Sequence, residues 1–169
     1  MLLINQQLPQ SDVFGALRLA LMTVLGDIEV IKGLSNRVPQ PNNNYIAMTP
    51  IIIERLSTNE SVYKIATSNQ ITRQESQDND YTIQLDFYGS NSSNNAIIIN
   101  SLWRSDYLFR FGITPMFSSN PRQMFFKGGE NQMVERWTID VHLYYSPKII
   151  LPQESANKLD SPTFYPVIG

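Results

Sequence analysis

The sequence predicts an α+β sandwich: a mainly antiparallel β-sheet with two helices packed on one of its faces. Three observations predict it. The segments Tyr81–Tyr88 and Met133–Tyr145 alternate apolar and polar residues with the two-residue period of half-buried strands. Residues 11–25 and 94–104 instead carry apolar residues at three- and four-residue spacing. The element order is helix, strands, helix, strands, with no internal repeat, which favours helices gathered on one face of an antiparallel sheet.

The first helix is expected over residues 11–25. Ser11 or Asp12 can cap it and Gly26 can end it, while Val13, Leu17, Ala20, Leu21 and Val24 form one stripe. DIEVIKG then offers a short strand, and LSNRVPQPNNN (34–44), with two prolines and four asparagines, reads as an extended loop. YIAMTPIIIERL is too apolar for a surface loop. Pro50 lacks an N–H, so that strand must lie at an edge, be bulged, or break there.

From Ser61 to Gln74 the chain is β-rich, and SQDND (76–80) has the composition of a turn. Together they suggest a hairpin with a polar tip around Arg73, Glu75, Asp78 and Asp80. In the second helix, expected over residues 94–104, Ala96, Ile99 and Trp103 share one side, with Ile98 and Leu102 on an adjoining one. LFRFGITPMF reads as a strand, PRQMFFKGGENQ as a loop, and MVERWTIDVHLYY as the closing strand. In that strand Met133, Glu135, Trp137, Ile139, Val141, Leu143 and Tyr145 face the helices. The proline-containing remainder reads as an arm, so the expected organisation is an N-terminal arm (1–10), one domain (11–146) and an extended C-terminal arm (147–169).

With 169 residues the chain is of single-domain size. Charged residues make up only 17%, and Asn, Gln, Ser and Thr take their place, a surface that can be buried against a partner at modest desolvation cost. The formal net charge is -2, without a basic run, so strong attraction to nucleic-acid backbones is not expected. The absence of cysteine removes disulfides, thiolate nucleophiles and cysteine metal sites. The N-terminal residues lack the pattern of a signal peptide, and no window has the roughly 20 apolar residues of a membrane span. These features suggest a soluble protein.

Candidate chemistry is sparse. GSNSSNN, from Gly89, joins a strand to a helix as phosphate loops do, but it lacks the second glycine and the lysine that would neutralise phosphate; its Ser and Asn residues read as caps and turn formers. Gly128 and Gly129 precede Glu130 and a strand, without a helix N-terminus to hold an anion. His142 is the one histidine, with Asp140 and Tyr144 as same-face neighbours, and no nucleophile is tied to it. Zinc would need more imidazole or thiolate ligands than that, and the carboxylate pairs Asp78/Asp80 and Glu130/Glu135 lack a calcium-loop spacing. No enzymatic role, cofactor or metal is expected. The aromatics are mostly core, with Tyr88 and Tyr107 expected at the surface.

Seven short stretches, in order and with similar gaps, carry a resemblance: NRVPQP (36–41), YIAMTP (45–50), YTIQLDFYG (81–89), NNA (94–96), NPRQM (120–124), GGENQ (128–132) and ERWTIDVHLYY (135–145). Over residues 11–147 the chain resembles bacteriophage neck or tail terminator proteins. Asn120 departs from the acidic residue more usual before PRQ. The resemblance implies a structural virion protein that forms a hexameric ring, ends the tail tube, and joins it to a head connector or stopper while genomic DNA passes without specific binding. It implies a place in the neck or tail, assembly in the host cytoplasm, and no membrane contact.

On that reading the polar tip faces the lumen, where Glu75, Asp78 and Asp80 repel DNA phosphates. Tyr88, Tyr107, Arg136, His142, Phe164 and Tyr165 are candidate contacts with neighbouring subunits or partners. The alternatives are a monomeric module that recruits a partner through an edge strand, another minor tail component, or, least supported, a hydrolase centred on His142.

Overall fold

The computed structural model describes residues 5–7, 10–26, 28–33, 41, 44–65, 71–127 and 133–153. In chain order these form β1 (Asn5–Gln7), α1 (Gln10–Leu25), β2 (Glu29–Lys32), β3 (Tyr45–Arg55), β4 (Glu60–Ile65), β5 (Ile71–Ser76), β6 (Asn79–Tyr88), α2 (Ser92–Leu102), a 3-10 helix (Tyr107–Phe111), β7 (Pro115–Ser118), β8 (Arg122–Lys127), β9 (Met133–Tyr145) and β10 (Lys148–Gln153). The fold is α+β, antiparallel in all its strand pairs except β2 with β3, and both helices pack on one face of the larger sheet.

That sheet has six strands in the order β2-β3-β6-β9-β7, with β8 beside β7 on the outer edge of β9. Its helix-side face carries Ile46, Met48, Ile83, Leu85, Phe87, Ile139, Val141 and Leu143, all buried. Against them α1 sets Phe14, Leu17, Ala20 and Leu21, and α2 sets Ala96, Ile99 and Trp103. The Trp103 indole would strand a polar N–H in this core, but it donates to the His142 carbonyl at 3.0 Å.

Pro50 occupies the place its chemistry requires. The β3–β6 register slips between Pro50 and Ile52, and β2 reaches only as far as Met48, so the proline sits at a bulge where β3 has become an edge strand. Gly89 turns the chain from β6 into α2 with φ of +99°, and a Cβ there would lie 1.9 Å from Asn44 Oδ1. Close approach and left-handed backbone together demand glycine, with no phosphate needed to explain it. The Ser and Asn residues after it make the turn through the backbone: Asn91 stands at the N-cap without a side-chain bond, so the expected side-chain capping is absent there.

Four expectations are corrected. Residues 107–111 form a 3-10 helix, not a strand; Leu108 and Phe111 share a side at three-residue spacing, and Gly112 closes it in a left-handed conformation. Residues 122–127 form a strand paired with Met133–Thr138, not a loop, because the edge of β9 past β7 needs a partner. Ile98 is 43% exposed, so the apolar face of α2 is narrower than the sequence suggests. Residues 148–153 are not a loose arm but a strand, and with β1, β5 and β4 they make a second, four-stranded sheet, order β1-β10-β5-β4. Gly128, Gly129 and Glu130 lie outside the described residues.

Leu85→Ala is expected to cost about 2–5 kcal/mol, whereas Ile98→Ala stays within about 0.5 kcal/mol, because only the first opens a void in a closed core. Urea unfolding followed by circular dichroism distinguishes the two.

Candidate functional site

The two sheets are one ribbon interrupted once. In the larger sheet β3, β6 and β9 are adjacent; in the smaller sheet their continuations β4, β5 and β10 are adjacent in the same order. The interruption falls at residues 56–59, 77–78 and 146–147, where side-chain bonds supplement a single backbone bond between Leu56 and Asp78. Leu56 N–H donates to the Asp78 carbonyl, Gln77 Nε2 to the Ser57 carbonyl, and Asp78 N–H to Ser57 Oγ. Asn79, buried, donates to the carbonyls of Gln77 and Tyr145, and the Tyr144 hydroxyl donates to Asp78. The bond to Asp78 raises the Tyr144 pKa, since it holds the proton on the phenol.

SQDND is therefore a joint between sheets rather than the tip of a hairpin. The connection between β4 and β5, residues 66–70, lies outside the described residues. Arg73 and Glu75 are in β5 and pair with each other at 2.8 Å, and Ser61 Oγ donates to Glu75 at 2.6 Å. Asp78 is at the joint, and Asp80 is buried at the start of β6. The three carboxylates expected to repel DNA are thus already engaged within the chain.

His142 meets Asp80 from across the sheet, not its strand neighbour Asp140, which instead binds Arg122 at 2.7 Å. Its Nδ1 lies 2.8 Å from Asp80 Oδ2 and 3.1 Å from Thr82 Oγ1, and its ring stacks on Phe117 at 3.7 Å. A catalytic triad needs the carboxylate on one ring nitrogen and the nucleophile on the other. Here both oxygens converge on the same nitrogen, an arrangement that holds the ring in place and relays no proton. Among the described residues no group of three or more His, Asp or Glu side chains is placed to hold a metal ion.

The face of the larger sheet opposite the helices has a built polar centre. Arg136 reaches Asp86 with Nε at 3.2 Å and a terminal nitrogen at 2.9 Å, and Gln84 Nε2 adds a third bond to the same carboxylate at 2.9 Å. Tyr45 and Tyr88 stack beside it, 4.4 Å apart, with the Arg136 guanidinium over the Tyr88 ring. They border a shallow cavity of about 350 Å³ reaching Ile31 and Lys32. Tyr88, expected at the surface, is buried, because β3 places Tyr45 directly across from it. Tyr107 is half-buried under Arg110, 4.0 Å from its ring. Phe164 and Tyr165 lie outside the described residues.

Two further surfaces are uncovered among the described residues. Among the described residues no second layer buries the smaller sheet: β4 is exposed from Glu60 to Lys64 and every residue of β5 is half-buried. Beyond Met48, β3 has no strand on its β2 side among the described residues, and this open edge carries Ile51, Ile52, Ile53 and Leu56, with exposures of 53, 47, 37 and 52%. Isolated exposed apolar residues are ordinary, but a contiguous run on an unpaired strand marks a binding edge. Sequence reasoning saw the run but not its exposure, which depends on β2 being only four residues long.

Removing Arg136 leaves a buried carboxylate, so Arg136→Met is expected to destabilise the fold by about 3–5 kcal/mol, and adding Asp86→Leu to recover most of that loss in denaturant melts. Burial, and then the Asp86 carboxylate, push the Tyr88 phenol up to about 12. The folded state keeps a proton that the unfolded chain sheds near pH 10, so stability is full below about 10 and falls as pH rises to about 12. Tyr88→Phe should flatten that part of the stability–pH curve.

A family model described as phage neck terminator protein matches residues 11–165. The chain belongs to that family. A comparison with curated proteins finds no match.

Proposed function

We propose that this phage neck terminator protein ends the tail tube as a hexameric ring and joins it, through the opposite face of that ring, to the head connector or stopper. The observation that supports this reading most is the second sheet. Among the described residues none of β4 or β5 is buried, so these strands hold no core of their own, and such a sheet is suited to completion in an assembly. Its two edges, β1 and β4, are different strands, and pairing one edge with the other on the next copy is head to tail, which gives a closed ring when the rotation divides a full turn.

In such a ring the β4–β5 hairpin is directed to the lumen. Its described charges balance, Glu60 and Glu75 against Lys64 and Arg73, so a passing DNA backbone is neither gripped nor strongly repelled. The polar face with Asp86, Arg136 and the stacked tyrosines meets another virion protein. The protein acts in the virion neck through shape and contacts, after assembly in the host cytoplasm, and without catalysis.

A second reading, a monomeric module that takes a partner strand along the edge of β3, is favoured by the exposed Ile51–Ile53 run. Cryo-electron microscopy of particles tests both: the ring reading expects six copies around the axis where tail meets head, and heads without tails when the chain is missing. One copy per neck, or normal joined particles in its absence, overturns the ring. His142→Ala is expected to lower thermal stability by a few degrees and leave particle yield within about twofold, because the ring positions strands and performs no chemistry.

A further inference from the structure

We infer that the open apolar edge of β3 is covered by the C-terminal segment of the adjacent copy, residues 161–168, added as an antiparallel strand. The inference deepens the ring reading and rests on it.

The edge needs a strand. Ile51, Ile52, Ile53 and Leu56 are exposed in a row, and among the described residues β3 pairs on that side only through Tyr45–Met48. Exposed Val62 and Tyr63 continue the apolar surface onto β4.

The segment SPTFYPVI (161–168) has the chemistry of such a strand. Between its prolines stand β-formers, and Val167 and Ile168 follow. Its prolines, Pro162 and Pro166, are four apart and so point the same way along an extended chain. The N–H groups of Thr163, Tyr165 and Val167 all point the other way, toward a partner. An edge-added strand pairs on one side only, and this one lacks donors only on the side left to solvent. The family match runs through residue 165, so the first five residues of this segment fall within it.

The lengths agree. Gln153 pairs with Ile71, which pairs with Ile65, so β10 ends level with the end of β4. A chain that turns back there and runs antiparallel to β4 and β3, at the same rise per residue, comes beside Ile52 at about residue 167. Residues 154–168 span at most roughly 50 Å, enough for that path.

The occupant is a neighbour's tail rather than the chain's own. β10 lies toward the opposite edge of the ribbon from β3 and β4. In a head-to-tail ring the side from which the tail departs faces the next copy's open edge.

The chain has no cysteine, which allows a direct test. Phage particles are assembled with a chain carrying both Ile52→Cys and Tyr165→Cys, treated with a short bismaleimide, and resolved by denaturing electrophoresis. The expected result is a ladder of linked copies up to six, with dimers only when the two single substitutions are mixed. Linkage confined to one copy, or no linkage while the ring is visible by microscopy in the same particles, overturns the inference and leaves the ring standing. Absence of the ring from unmodified particles overturns the reading beneath it. In support of the same placement, Ile52→Asp is expected to cut particle yield at least tenfold while the purified chain keeps its circular dichroism; normal yield from that variant counts against it.

Discussion

The backbone ladder that joins β3, β6 and β9 is the constraint on which the rest of the molecule depends. Ten registered pairs run from Asn79 to Tyr88 against β9, and β3 is registered over nearly the same length on the other side. With β6 central and hydrogen-bonded on both sides, the side-chain period of two is fixed for all three strands at once. Ile83, Leu85 and Phe87 must then face the helices, and Thr82, Gln84 and Asp86 the other way. The helices supply a lid for one face only. The Asp86–Arg136 pair and the His142–Phe117 stack sit on the face without that lid.

Where the ladder stops, side chains take over, and this explains the sequence of the joint. Ser57 Oγ accepts from the Asp78 N–H, while the side-chain amides of Gln77 and Asn79 donate to the carbonyls of Ser57, Gln77 and Tyr145. The same composition ordinarily reverses a chain. Local chemistry specifies that the ladder is interrupted, but whether the strands fold back or continue as a second sheet is decided by pairing partners far away in sequence.

That division accounts for what the sequence made legible. The first helix, the two long alternating strands, the helix after Gly89 and the bulge at Pro50 each follow from patterns of eight or more residues or from a proline without a donor. Residues 107–111 and 122–127 are too short for a period of two to be told from a period of three, and their neighbours decided them. The ionic contacts were beyond reach for another reason: Arg136 and Asp86 are 50 residues apart, and His142 and Asp80 are 62 apart, so no spacing signals them. The family resemblance read from the short stretches agrees with the matched family, while the position of Arg73, Glu75, Asp78 and Asp80 was misplaced because the joint resembles a turn.

The ribbon also bears on mechanics. Hydrogen bonds in an antiparallel ladder lie across the strands, so tension applied along them is resisted by many bonds simultaneously instead of opening them one by one. A junction in which β6 and β9 lie side by side over ten registered residues is therefore stiff against pulling along that axis. The side-chain joint at Ser57 and Asp78 is the more compliant element in series with it. Tension along the ribbon would be absorbed by bending there before any strand slips.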